Sequence, residues 1–381
     1  TQSYVNGTTG IIITGTSTTV GGMTGGTPSS YIGYISNTFT INTPGTLNIY
    51  GRWGFTGNIT YTQGSVFAEN GQLVLTGLQQ NQSLVNLTSI LWGEVRFGGP
   101  GYVSTISLTG DINTNLTYMW QGTNAGNSST ITINGGNWYT GSFQFQDNAN
   151  TFTLGGTTPI IFNGKGKNYI YGGKANIQWS NAVTFNTSGS LAFNGDSAIT
   201  YNGSSMTYSA GTVYSAMGKG SVFTGYYSGP VTSPPSSIIT ILFNANATLT
   251  NFDKVQLGIV NVAGGVTLTM NKFFGGSPNI PTWVYATSTN FTVTMTSGFE
   301  QVCHDVKVQN CTLQYTAGGQ TQRGSVILAG RNPFKSGNNL GFRYRNQSPN
   351  AAPKNTSMLP TLLGGLTPTA FGANGIIMDP N

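Results

Sequence analysis

The sequence predicts an all-β chain: a β-solenoid body resembling a parallel β-helix, then a second β region and an irregular C-terminal arm. A β-sandwich or jelly-roll is the alternative. Two observations carry this expectation. Short triplets with apolar residues at both ends recur about eight residues apart between Ile131 and Tyr208, and apolar-polar alternation is the period of a strand. Asn-Gly pairs follow several of these triplets directly, at Asn134, Asn163, Asn194 and Asn202, and both residues tolerate the backbone angles of a tight turn.

The elements follow in chain order. Residues 1–34 hold a Gly/Thr-rich stretch around Ile11-Ile12-Ile13 and read as a leading arm or cap. The body is expected over 35–227. Its first half is the looser version, with Phe39-Thr-Ile41, Leu47-Asn-Ile49, Ile59-Thr-Tyr61 and Leu73-Val-Leu75 separated by Gly, Asn and Thr. Its second half is regular: Ile131-Thr-Ile133, Phe143-Gln-Phe145, Phe152-Thr-Leu154, Ile160-Ile-Phe162, Tyr169-Ile-Tyr171 and Ile177-Gln-Trp179. Hairpin strands usually run about 5–6 residues, so triplets suit coils that stack on one another better than a meander. Residues 228–237 carry Pro230, Pro234 and Pro235 and read as a linker. A second β region is expected over 238–322, where Val266–Met270 and Phe291–Met295 alternate strictly. From 323 to 381 the pattern dissolves into an irregular arm.

Composition narrows the function classes. Of 381 residues only 6% are charged, against about 25% in an ordinary soluble domain. Ser, Thr, Asn, Gln and 55 Gly supply the polarity instead. The 37% apolar content, with 20 Phe, 18 Tyr and 6 Trp, is enough for a core and too much for a disordered chain. The formal charge of +6 is spread thinly, so nucleic acid is not the expected partner. The basic residues concentrate in the arm at Arg323, Arg331, Lys335, Arg343, Arg345 and Lys354, which makes the arm the expected assembly contact. No stretch reads as a membrane span, because the apolar tail after Met358 is broken by Pro and Gly.

Catalytic chemistry finds little to work with. The nine acids are scattered, the nearest two being Glu300 and Asp305, while glycoside hydrolysis needs a carboxylate pair. Asp111, Asp147 and Asp196 would have to converge across coils to supply one. His304 is the single histidine, and no serine sits in a nucleophile elbow. The chain is therefore expected to be no enzyme and to need no cofactor or metal. Cys303 and Cys311 are the only cysteines; they suggest a small disulfide loop and an oxidising environment, with buried thiols as the alternative. Zinc would need more ligands than His304 can add.

Two features point to binding. Trp53, Trp92, Trp120 and Trp138 are candidates for stacking on sugar rings. Asn-x-Ser/Thr triplets, as at Asn58, Asn86, Asn115, Asn202 and Asn290, permit glycosylation where the machinery exists.

The Phe/Tyr-Asn-Gly phrases (Phe162-Asn-Gly164, Phe193-Asn-Gly195, Tyr201-Asn-Gly203), the three-residue strands and the charge-poor surface resemble β-helical virion surface proteins: phage spikes and fibres, and exterior proteins of large DNA viruses. The likeness covers roughly residues 35 to 225 and is one of style, carrying no site residues with it. It implies a non-catalytic structural component of a virion exterior or other extracellular assembly, located on the virion or cell surface. Its partners would be copies of itself or neighbouring structural proteins. A glycan- or receptor-binding adhesin is the alternative, and a polysaccharide-degrading β-helix enzyme the third.

Overall fold

The computed structural model describes residues 11–13, 17–21, 34–35, 38–76, 80–98, 102–120, 128–146, 150–195, 197–215, 240–252, 255–256, 259–270, 282–286, 291–295, 306–308, 311–315, 326–328, 340–342 and 376–378. The chain is a β-solenoid: nearly everything described is strand, in parallel sheet stacked turn upon turn. A jelly-roll is built from antiparallel strands, so the parallel registers set that alternative aside. Two compact units divide the chain, Thr1–Gly189 and Ser190–Asn381.

In the first unit each coil contributes to two sheets. The first sheet runs from Ile11–Ile13 through the leading parts of Phe39–Phe55 and Ile59–Thr76. It continues through Gln80–Val85, Val103–Thr109, Ser128–Asn134, Thr151–Gly155 and Asn176–Trp179. The second sheet stacks the trailing parts of Phe39–Phe55 and Ile59–Thr76, then Leu91–Gly98, Ile112–Trp120 and Trp138–Phe145. The next coil pairs with Trp138–Phe145 through two strands, Ile160–Phe162 and Lys167–Gly173. Ile11–Ile13 and Ser17–Gly21 both pair in parallel with Phe39–Phe55, so part of the expected leading arm is built into the stack.

The eight-residue rhythm turns out to be one third of a coil. Phe152-Thr-Leu154 stacks on Ile177-Gln-Trp179, and Ile160-Ile-Phe162 on Val183-Thr-Phe185. Hydrogen-bonded partners on adjacent coils therefore lie about 25 residues apart, as Gln82 and Gly57 do.

Alternate side chains turn inward and meet in a core of aromatic rings. Phe143, Phe145, Phe152, Phe162, Trp179 and Phe185 are buried. Trp179 packs against Phe143 at 5.2 Å between centroids, Phe145 at 6.2 Å and Phe162 at 6.3 Å. Burying each ring contributes about 1.5–3 kcal/mol, and the pairing geometry adds about 0.5–1.5 kcal/mol per pair.

Corners hold the coils in register through uncharged side chains. The buried Thr158 hydroxyl donates to the Gly135 carbonyl one coil back, and the buried Asn181 amide donates to the Thr158 carbonyl at 2.8 Å. Gly156 shows why some corners must be glycine. Its φ is +111°, and a Cβ there would stand 2.1 Å from the Ile133 carbonyl oxygen of the coil below.

The second unit is stacked in the same way, with less regular sequence. Tyr201 pairs with Phe243, and Phe243 with Val262. Thr267–Met270 pairs in parallel with Phe291–Met295, which pairs in parallel with Cys311–Tyr315. The strands expected as a second β region are thus coils of a solenoid as well. Leu340–Phe342 departs from the pattern, pairing antiparallel with Val306–Val308. Val326–Leu328 pairs with Ile376–Met378. The rest of the expected basic arm, and the expected linker over 228–237, lie outside the described residues.

Candidate functional site

The densest set of functional side chains lies on the outward face of the second sheet, in the first unit. Leu73, Val95 and Phe143 turn inward, which sends their strand neighbours to the other face. Register then aligns two outward columns. One runs Arg52, Gln72, Glu94, Leu116, Ser142; the other runs Val74, Arg96, Tyr118, Gln144, Tyr171.

Hydrogen bonds connect them across coils. Arg52 Nε donates to Gln72 Oε1 at 2.5 Å, and Gln72 Nε2 to Glu94 Oε2 at 3.2 Å. Arg96 Nε reaches the other oxygen, Glu94 Oε1, at 2.6 Å. The Arg96 guanidinium lies 4.6 Å from the centre of the Tyr118 ring, a cation–π contact. Tyr169 donates its hydroxyl to Gln144 Oε1 at 3.4 Å, and its backbone N–H to the Ser142 hydroxyl at 3.2 Å. Glu94 and Arg96 are both buried, at 8% and 9% exposure, although they sit on the outer face. The flanking side chains of the neighbouring coils shut out water, which strengthens the pair.

Burial holds the Tyr118 phenol above its usual pKa; Arg96 pulls it down, Glu94 pushes it up and Arg52 pulls it down again. Tyr169 is raised too, by burial and then by Glu94. Both phenols are therefore neutral hydrogen-bonding groups near neutral pH. Chemically, the face offers neutral aromatic rings and amides around a charge pair that satisfies itself.

The tryptophans separate into different environments. Trp92 and Trp138 are in the core, at 1% and 0% exposure, so neither ring has a face to offer a sugar. The Trp138 indole donates to Thr117 Oγ1 at 2.9 Å, and the Thr117 hydroxyl to Thr140 Oγ1 at 3.0 Å, a buried chain that satisfies its N–H. Trp53 is half-buried and donates to the Tyr50 carbonyl at 2.9 Å. Trp120 stands on the outer face beside Tyr118; its ring packs so closely on Gly98 that a Cβ there would approach Trp120 Cε3 to 2.8 Å. The tyrosines and glutamines of this face were missed in the sequence. The available signal was parity: they occupy the odd position between core residues.

Asp111 accepts from the Asn137 backbone at 2.8 Å and the Asn137 amide at 3.0 Å, which makes it a corner clamp. Asp147 and Asp196, its expected companions, lie outside the described residues, as do Cys303, His304, Asn290, Arg323, Arg331, Lys335, Arg343, Arg345 and Lys354. Cys311 opens the strand Cys311–Tyr315. Among the described residues no three His, Cys, Asp or Glu side chains gather as metal ligands, and no helix is long and apolar enough to cross a membrane. Asn58, Asn86 and Asn115 are exposed and Asn202 half-buried. The Asn58 side chain accepts from Ser83 N at 2.8 Å, and Asn202 accepts from the Asn244 amide at 3.0 Å.

Comparison of the chain with protein-family models, curated proteins and solved structures returned no match.

Proposed function

We propose that the chain is a non-catalytic structural component of an extracellular assembly, a virion exterior in the first instance, acting through rigid β architecture and subunit contacts. The observation that carries this reading is the coil-on-coil stack itself. Backbone pairing, the aromatic core and uncharged corner hydrogen bonds all run along the same stack, so every coil is braced by its neighbours. A charge-poor exterior adds little sensitivity to salt. The chemistry of the outer face supports the same reading. Glu94, the carboxylate at its centre, has one oxygen bonded to Arg96 and the other to Gln72, so both are engaged within the face. Immunogold electron microscopy of the native source with an antibody to this chain tests the proposal. Regular labelling on the exterior of particles or fibres is expected; label confined to unassembled soluble protein contradicts it.

A glycan-binding role is the second reading, favoured by the rings of Tyr118 and Trp120 beside Gln144 on one outward face. Aromatic faces and amides suit neutral sugars. On a glycan array the wild type should then give a signal that Tyr118→Ala loses; no wild-type signal removes this reading.

A further inference from the structure

The Asn-Gly pairs that close the coil turns are chemically identical in sequence but not in structure. At Asn134-Gly135 the next coil holds both groups. Asn134 Oδ1 accepts from Thr157 N at 3.1 Å and Thr157 Oγ1 at 3.3 Å, and Gly135 N donates to Thr157 Oγ1 at 3.3 Å. At Asn202 the side-chain oxygen is likewise engaged, by Asn244.

Asn163-Gly164 differs. Asn163 is exposed, and among the described residues neither its side-chain amide nor the Gly164 N–H has a hydrogen-bond partner. The turn is nonetheless held in place. Asn163 N donates to the Thr140 carbonyl at 3.0 Å, while the Gly164 carbonyl accepts from Thr187 Oγ1 at 2.6 Å and Ser188 N at 3.2 Å. Lys165 and Lys167 stand exposed immediately after it.

We propose that Asn163 is a site of spontaneous deamidation, set apart from Asn134 and Asn202 by the hydrogen bonds that the stacked coils make at those two turns. Gly164 N attacks Asn163 Cγ and forms the new C–N bond. The side-chain nitrogen leaves as ammonia, carrying the proton that Gly164 N gives up, and a five-membered succinimide remains. Water then adds to either ring carbonyl and opens it to aspartate or isoaspartate. One water is consumed and one ammonia released, with no change of oxidation state. Glycine suits the step because no Cβ obstructs the attacking nitrogen. The two nearby lysines favour both the anionic nitrogen and the carboxylate product. At Asn134 the bonds to Thr157 must break before the same atoms can meet, which slows that site on the order of tenfold. An isoaspartate at 163 would lengthen the backbone in the turn that anchors Thr187 and Ser188, so the product should loosen the following coil.

The full chain, incubated in warm, mildly alkaline buffer, tests this by peptide mass spectrometry with fragmentation that localises the amide-to-acid mass increase. In the folded protein Asn163 should convert on the order of tenfold faster than Asn134. In denaturant the two should convert at comparable rates. Thr157→Ala, at an exposed position, should speed Asn134, and Asn163→Gln should silence its site. Hydrogen exchange should rise around Thr187 as Asn163 converts. Equal rates in the folded chain, or an Asn163 that stays intact while the denatured chain reacts, would overturn the proposal.

Discussion

At the scale of single residues, the chain shows how a nearly uncharged protein can still depend on pH. Tyr102 is 1% exposed, and burial pushes its phenol up to about 12, with the Ser104 hydroxyl beside it working in the opposite direction. Burial raises Tyr201 further still, opposed by its hydrogen bond to the Ser205 carbonyl. A phenol raised in the folded state holds its proton after the unfolded chain has lost it, near the usual value of about 10. Stability is therefore fully present below about pH 10 and falls as pH rises toward 12, by about 1.4 kcal/mol per pH unit for each such group. Urea unfolding followed across alkaline pH should show this loss, and Tyr102→Phe should make it shallower. An unchanged slope in the variant would rule out Tyr102 as a source. Glu94 and Arg96 show the limit of reading residues one at a time. Their spacing places them on one face of a strand, but nothing in the segment Leu91–Gly98 announces that Gln72 and Tyr118, from the coils on either side, will enclose them.

At the scale of elements, the triplet is too short to be stable alone and gains its stability from the triplets stacked above and below. Trp179 touches rings from two other strands, Trp138–Phe145 and Ile160–Phe162, and stacks on Leu154 of Thr151–Gly155 in its own sheet. Trp179→Ala should cost about 3–5 kcal/mol by leaving a cavity among rings that cannot collapse into it. Because stacked coils interact mainly with their nearest neighbours, hydrogen exchange should rise in Thr151–Gly155 and Trp138–Phe145 and change little around Leu73. Uniform acceleration throughout the unit would contradict the nearest-neighbour picture. The alternation in these triplets was legible in the sequence, as were the turns after them. The inward or outward fate of each tryptophan was not, because it depends on the partner coil: Trp138 sits over Ile112 and under Ile160 in the core register, whereas Trp120 falls one position out of it.

At the scale of the molecule, the stacked register holds on both sides of an irregular stretch of sequence. Tyr201 and Phe243 are direct partners although the Pro-rich stretch expected to be a linker lies between them. Parallel pairing resumes after it at Thr240–Phe243. The rhythm of eight residues revealed strands and turns but not that three strands make one coil, since spacing within a coil carries no information about which triplets meet. The account therefore rests on parallel register, and paired cysteines test it most directly. Thr153 and Gln178 are in-register partners on adjacent coils, while an antiparallel meander would place Thr153 opposite Ile161. With Cys303 and Cys311 left in place and linked peptides mapped by mass spectrometry, Thr153→Cys with Gln178→Cys should crosslink readily through a short thiol reagent. Thr153→Cys with Ile161→Cys should not. The reverse result would mean that the triplets pair as hairpins and that the stacked coils do not exist.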